Sequence, residues 1–179
     1  QARWFANEQL SGTPVAVTGI DRIDFDWGDG SPGIAGLGSN GFSVEFSTVR
    51  FLRRGRYRFV VRSDDGARLY VDQRLVGDSW FTRGSAPEVV EIEHQGGRLP
   101  IRLEYFEHGG RASVSLEMSP VGYLGAYYRG RDLGRDANHA NVDPPVLYRY
   151  EPYLDFDWGL APADARLGRD NWSARWTGL

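Results

Sequence analysis

The sequence predicts an all-β protein, an antiparallel β-sandwich followed by an incomplete second copy of the same module. Apolar residues alternate with polar ones over short runs, and helical spacing is hard to find. Clusters of Gly, Asp, Ser and Pro punctuate those runs, as turns between strands require. A whole phrase of the first part also returns in the last third of the chain.

The repeated phrase is Ile23-Asp24-Phe25-Asp26-Trp27-Gly28, echoed as Leu154-Asp155-Phe156-Asp157-Trp158-Gly159. Upstream, Thr13-Pro14-Val15 matches Pro144-Pro145-Val146 at the same spacing, and Phe5 and Leu10 match Tyr128 and Leu133. Downstream, Phe42-Ser43-Val44-Glu45-Phe46 lines up with Trp172-Ser173-Ala174-Arg175-Trp176. A period this long signals tandem domains, since solenoid units repeat every 20–50 residues or so. The division expected is residues 1–121 for a complete module and 122–179 for the N-terminal portion of a second.

The strands of the first copy follow from alternation. In Arg56 to Ser63, Tyr57, Phe59 and Val61 share one face while Arg56, Arg58 and Arg62 take the other. Leu69 to Val76 reads as a tight hairpin turning at Asp72-Gln73. Ile101, Leu103 and Tyr105 alternate with Arg102 and Glu104, and Val114, Leu116 and Met118 with Ser113, Ser115 and Glu117. Glu107-His108-Gly109-Gly110-Arg111 connects those two runs as a glycine-centred hairpin. Within the repeated phrase, Phe25 and Trp27 fall on one face and Asp24 and Asp26 on the other. That pattern supplies a buried aromatic pair with surface or turn-capping aspartates, rather than an acid–base couple, which would need one carboxyl with a shifted pKa.

Composition narrows the functional classes. The 179 residues carry a net charge of -3, which gives no electrostatic footprint for nucleic acid or an anionic membrane. The crowded Arg53, Arg54, Arg56 and Arg58 read as a solvated turn and strand face. No apolar run approaches the ~18 residues of a membrane span. The chain opens on Gln1 without a leader pattern and is expected to be a mature or excised segment, extracellular or at a cell surface. Cysteine is absent, so neither a disulfide framework nor a thiolate metal site exists. His94, His108 and His139 are too scattered for a zinc site, and no Ser-His-Asp or Gly-x-Ser-x-Gly constellation occurs. Asn171-Trp172-Ser173 fits a glycosylation sequon, but Trp172 stands where the core residue Phe42 stands in the first copy. The chain is therefore expected not to be an enzyme.

Several phrases in order resemble the PA14 domain, a β-sandwich module of bacterial toxins, glycosidases, yeast adhesins and bacterial surface proteins. They are Leu10 to Val15, Ile23 to Gly33, Phe42 to Val44, Gly55 to Phe59, Ser63-Asp64-Asp65-Gly66, Arg68 to Asp72 and Ile101 to Glu107. The resemblance covers all of the first copy and about the first third of the module in the second. It implies a non-catalytic carbohydrate-binding module. In adhesin members, two adjacent loop aspartates hold a Ca2+ ion that coordinates vicinal sugar hydroxyls, and the matching pair is Asp64-Asp65. Calcium takes six to eight oxygens, and consecutive carboxylates in a tight turn supply oxygens while leaving positions open. Gly66 is expected to relax the turn. The second adhesin loop corresponds to Glu107–Arg111, where Glu107 is the expected oxygen ligand, beside His108 and with Arg111 bringing a positive charge. The same Asp-Asp-Gly signal also fits a plain turn in which the aspartates bond their own backbone. Trp80 and Phe81 are candidates to line the same rim and stack on a sugar, and their sequence fits burial equally well.

Two functions from different classes follow. One is a carbohydrate-binding module using Asp64, Asp65, Gly66, Trp80, Glu107 and His108, with Asp64, Asp65 and Glu107 on a Ca2+ ion and a glycan or polysaccharide as partner. The other is a structural module of an extracellular filament, coat or assembly, in which residues 123–179 pack against another protein chain. Those residues carry Tyr127, Tyr148, Phe156, Trp158, Trp172 and Trp176 without counterparts of the strands that cover such rings in the first copy.

Overall fold

A computed structural model describes residues 1–179 except His139 and Val142. The described chain contains strands and no helix, and so no helix long and apolar enough to cross a membrane. It divides into two compact units, Gln1–Ser119 and Pro120–Leu179.

Unit 1 is a sandwich of two antiparallel sheets. In chain order its strands are β1 (Ala2–Phe5), β2 (Ala16–Thr18), β3 (Asp24–Gly28), β4 (Phe42–Leu52), β5 (Gly55–Asp64), β6 (Gly66–Val71), β7 (Arg74–Ser79), β8 (Ala86–His94), β9 (Gly97–Glu107) and β10 (Ala112–Val121). One sheet has the order β2-β1-β4-β9-β6-β7 and the other β3-β10-β5-β8. The alternation read in β5 is realised: Gly55, Tyr57, Phe59, Val61 and Ser63 are buried, while Arg58 and Arg62 are exposed. The arginine face is ion-paired, since Glu91 of the neighbouring β8 takes Arg56 at 2.7 Å and Arg58 at 2.8 Å. The β6–β7 hairpin turns at Asp72 and Gln73, whose φ values of 50° and 63° match the left-handed pair that tight hairpins need.

The core between the sheets is built around rings. Phe25 stacks on Trp27 at 5.0 Å and on Phe46 at 5.8 Å, and Trp4 meets Phe25, Trp27 and Phe46 edge-on. Tyr105 from β9 packs against Trp27 and Phe42. Such stacked and T-shaped pairs add about 0.5–1.5 kcal/mol each beyond area burial. The aspartates of the phrase lie outside this cluster, and Asp26 Oδ1 accepts the Gly28 N–H at 3.0 Å.

Unit 2 consists of β11 (Tyr123–Arg129), β12 (Leu147–Glu151) and β13 (Trp172–Gly178) in the order β12-β11-β13. This reproduces β2-β1-β4 in register: Trp4 faces Ala16 and Val44, and its counterpart Tyr127 faces Leu147 and Ala174. Smaller details repeat too. Ser43 Oγ donates to Asn7 O and accepts from Leu10 N, and Ser173 Oγ donates to Gly130 O and accepts from Leu133 N. Phe156 stacks on Trp158 at 4.8 Å and on Trp176 at 5.6 Å. One element differs. Asp155–Trp158 forms no strand, because its counterpart β3 is paired only to β10, and no described strand of unit 2 plays the part of β10. In place of the Trp4 indole, Tyr127 puts a hydroxyl in the core, donating to Glu151 Oε1 at 2.5 Å and accepting from Arg149 at 2.9 Å.

Ser43 is fully buried and satisfies two backbone groups of the loop after β1. Ser43→Ala leaves an N–H and a carbonyl without their partner, and a loss of about 1–3 kcal/mol is expected in urea-unfolding midpoints.

Candidate functional site

Three connections pass from the six-stranded to the four-stranded sheet, or back, at the same end of unit 1. Asp65 links β5 to β6, Trp80–Ser85 links β7 to β8, and His108–Arg111 links β9 to β10. The peptide between Asp64 and Asp65 is cis. The Asp65 side chain is 2% exposed, and backbone N–H groups of both other connections bind it. Its Oδ1 accepts from Arg83 N at 3.2 Å, and its Oδ2 accepts from His108 N at 2.8 Å and Gly109 N at 3.4 Å. Asp65 is thus a buried carboxylate satisfied by hydrogen bonds, as a buried charge must be.

Asp64 is half-buried at the rim. Burial, followed by the Asp65 carboxylate, raises its pKa above the ordinary value, and Arg111 opposes both. Arg111 also reaches Asp26 Oδ1 at 3.4 Å. His108 is exposed, with Nδ1 3.0 Å from Glu8 Oε1; its contribution to the site is its main-chain N–H.

Glu107 is placed differently from its expected role. Its side chain is fully buried, with Oε2 3.0 Å from the Tyr105 hydroxyl and Oε1 without a hydrogen-bond partner. Among the described residues no group of three or more His, Asp or Glu side chains is spaced to hold a metal ion. Glu107 therefore does not join Asp64 and Asp65 as a third side-chain ligand; it lies behind them in the core. Burial pushes its pKa up to about 7, with Asp65 and Asp64 adding to the rise and the Tyr105 hydroxyl opposing it. Tyr105 is itself pushed well above its usual range, first by burial and then by Glu107. The Tyr105 oxygen also lies 2.5 Å from Asp64 O. One hydroxyl proton cannot serve two acceptors, so a protonated Glu107 donating to Tyr105, which donates to Asp64 O, satisfies all three groups.

Two further expectations are corrected. Gly66 does not have a positive φ. Its requirement is steric: a Cβ would sit 2.2 Å from the Phe106 ring and 2.9 Å from Ser79 O. Trp80 is half-buried rather than open, with the Arg68 guanidinium 4.0 Å over its ring and Phe106 at 4.8 Å. The open ring is Phe81, 59% exposed. Sequence alternation carries no signal for these two placements, which depend on contacts across β6 and β9. Of the histidines, His94 lies near Gly97 O at the β8–β9 turn, and His139 falls outside the described residues.

The PA14 domain family model matches residues 2–130. The chain belongs to the PA14 domain family. It is 34% identical over 182 residues to the anti-sigma-I factor RsgI3 of Acetivibrio thermocellus, an alignment covering 87% of this chain and 27% of that protein. The chain thus spans about a quarter of the curated relative it matches. A solved anti-sigma factor domain-containing protein is similar in fold, with a TM-score of 0.61 and 24% identity over 98% of this chain and 66% of that one. The PA14 sugar-binding domain of an RTX adhesin covers 66% of this chain and 88% of its own, with a TM-score of 0.50 and 20% identity. These two likenesses concern the fold.

Two measurements check this account. Gly66→Ala forces the Phe106 ring and the Ser79 carbonyl apart, and a loss of about 1–3 kcal/mol is expected by chemical denaturation. Glu107 keeps its proton in the folded state up to pH about 7, against an ordinary value of 4.5. Its contribution to stability is therefore fully present below pH 4.5 and is lost as pH rises to about 7. In chelator-treated protein, the melting temperature of the wild type relative to Glu107→Gln is expected to decline across that window; a constant difference would refute the assignment.

Proposed function

We propose that this PA14 chain is a non-catalytic carbohydrate-binding module of a secreted or cell-surface protein, with a Ca2+ ion at Asp64 and Asp65. The observation that carries the reading is the accumulation of carboxyl groups at one end of the sandwich. After burial, Asp65 and Asp64 raise the pKa of Glu107, and Asp65 raises that of Asp64, where Arg111 opposes it. A hard dication relieves that repulsion. Among the described residues no side-chain hydrogen bond competes for the Asp64 carboxylate, and Asp65 Oδ1, which accepts one N–H bond where Oδ2 accepts two, retains a lone pair. The ligands are then the two aspartates and main-chain carbonyls of the surrounding connections. When bound, the ion supplies open coordination positions for vicinal hydroxyls.

The relative's name extends the reading. An anti-sigma-I factor is a regulator, and a glycan-binding segment within a longer protein of that kind would serve as its input. The second reading is an assembly module, which the apolar surface of unit 2 favours: Leu160 is 88% exposed, Tyr148 61% and Tyr153 48%. Light scattering separates them, since self-association lost on Leu160→Ser would favour assembly and a monomer would remove self-assembly.

The metal site is tested by calorimetry with Ca2+. Asp64→Asn is expected to abolish Ca2+ binding and leave chelator-treated stability within about 1 kcal/mol, because no fold contact uses its carboxylate. Asp65→Ala is expected to cost ~3 kcal/mol or more, since it strips three backbone donors of their acceptor. Wild-type protein that takes up no Ca2+ at millimolar concentration removes the metal from the reading.

A further inference from the structure

The exposed ring of Phe81 is unusual because so much of its surroundings is built. Trp80, one residue before it, is wedged between Phe106 and the Arg68 guanidinium, and its N–H donates to Asp78 Oδ1 at 3.2 Å. The Phe81 N–H itself donates to Ser79 O at 2.8 Å. Two residues later, Arg83 N donates to Asp65 Oδ1 and the Arg83 guanidinium donates to Ala86 O at 2.6 Å. Phe106, which backs Trp80, lies in the space that the missing Cβ of Gly66 leaves. The connection is therefore tied to Asp65 after Phe81, through Arg83, and packed against Phe106 and Arg68 before it. The ring nevertheless stays 59% exposed and outside the core cluster. An exposed aromatic side chain on a connection tied to Asp65 contributes little to folding. It offers a flat apolar surface on a backbone positioned before any ligand arrives, with the Arg83 guanidinium 5.9 Å from the ring centroid.

We propose that Phe81 is the stacking platform for a pyranose ring of the glycan, and that the Asp65–Arg83 hydrogen bond sets its distance from the aspartate pair. The inference rests on the carbohydrate reading of the same site and adds a specificity element to it. Hydroxyls on one edge of the sugar are taken by the Asp64–Asp65 end, and the C–H face of that ring or of the adjoining residue lies on Phe81. The platform selects for sugars with an unbroken patch of axial C–H groups, and for chains over single units, since a neighbouring residue can reach it. Trp80 does not share this role, because Arg68 lies 4.0 Å over its ring and Phe106 packs against it, whereas the Arg83 guanidinium stands 5.9 Å from the Phe81 centroid and leaves that ring 59% exposed.

Affinity electrophoresis of the whole chain in Ca2+-containing gels tests this, with galactomannan, xyloglucan and mixed-linkage β-glucan as probes. Wild type, Phe81→Ala and Phe81→Trp are run together, with Ca2+ calorimetry and melting temperature on each. The expected result is retardation of the wild type by at least one polysaccharide, a loss of at least tenfold in affinity for Phe81→Ala, and retention by Phe81→Trp. Ca2+ affinity and melting temperature are expected to be unchanged, because the ring touches neither the carboxylates nor the core. Equal retardation of wild type and Phe81→Ala overturns the platform and leaves the carbohydrate reading standing. Absence of retardation of the wild type by all three probes overturns both.

Discussion

One buried carboxylate organises the functional end of unit 1. Asp65 lies on the connection between β5 and β6, and its two oxygens draw N–H groups from the β7–β8 and β9–β10 connections. Each of these connections passes between the sheets, so tying them to one side chain holds the two layers in register at this end. Hydrogen bonds to a charged acceptor are worth roughly twice neutral ones, and burial strengthens them further. The rim residue Asp64, the buried Glu107 and the exposed Phe81 all take their positions from the segments that Asp65 joins.

The constraint at the other level is aromatic. Stacked Phe25, Trp27 and Phe46, with Trp4 edge-on, recur as Phe156, Trp158 and Trp176 with Tyr127. The geometry survives in unit 2 although its strands are fewer and the phrase itself is not hydrogen-bonded into a sheet. Ring packing, rather than backbone pairing, therefore fixes the position of that phrase. The Tyr127 substitution shows how a core tolerates a polar atom: Glu151 and Arg149 enter with it, and the three side chains hydrogen-bond one another.

Behind the rim, Tyr105 connects the core to the site. Its ring packs on Trp27 and Phe42 while its oxygen lies between Asp64 O and Glu107. The protonation of Glu107 is thereby coupled to the segment that carries the aspartates. That coupling arises because burial, not an ion pair, dominates the environment of Glu107.

The all-β class, the run of several strands, the hairpin at Asp72-Gln73 and the repeated aromatic phrase are legible in the linear sequence. Each of these is written in local periodicity or in turn chemistry, which a linear reading captures. The Asp64-Asp65 pair was legible for the same reason, being adjacent in the chain. What each carboxyl does follows from how the folded segments meet. Asp65 became a clamp because backbone donors from residues 83, 108 and 109 converge on it. Glu107 was withdrawn from the site because β9 alternation turns it inward beside Tyr105. Trp80 was covered and Phe81 exposed because Arg68 and Phe106, distant in sequence, occupy one ring and not the other. Apart from the inward turn of Glu107, which the alternation of Ile101, Leu103 and Tyr105 already carried, these outcomes depend on long-range contacts and desolvation, which have no signature in the order of neighbouring residues.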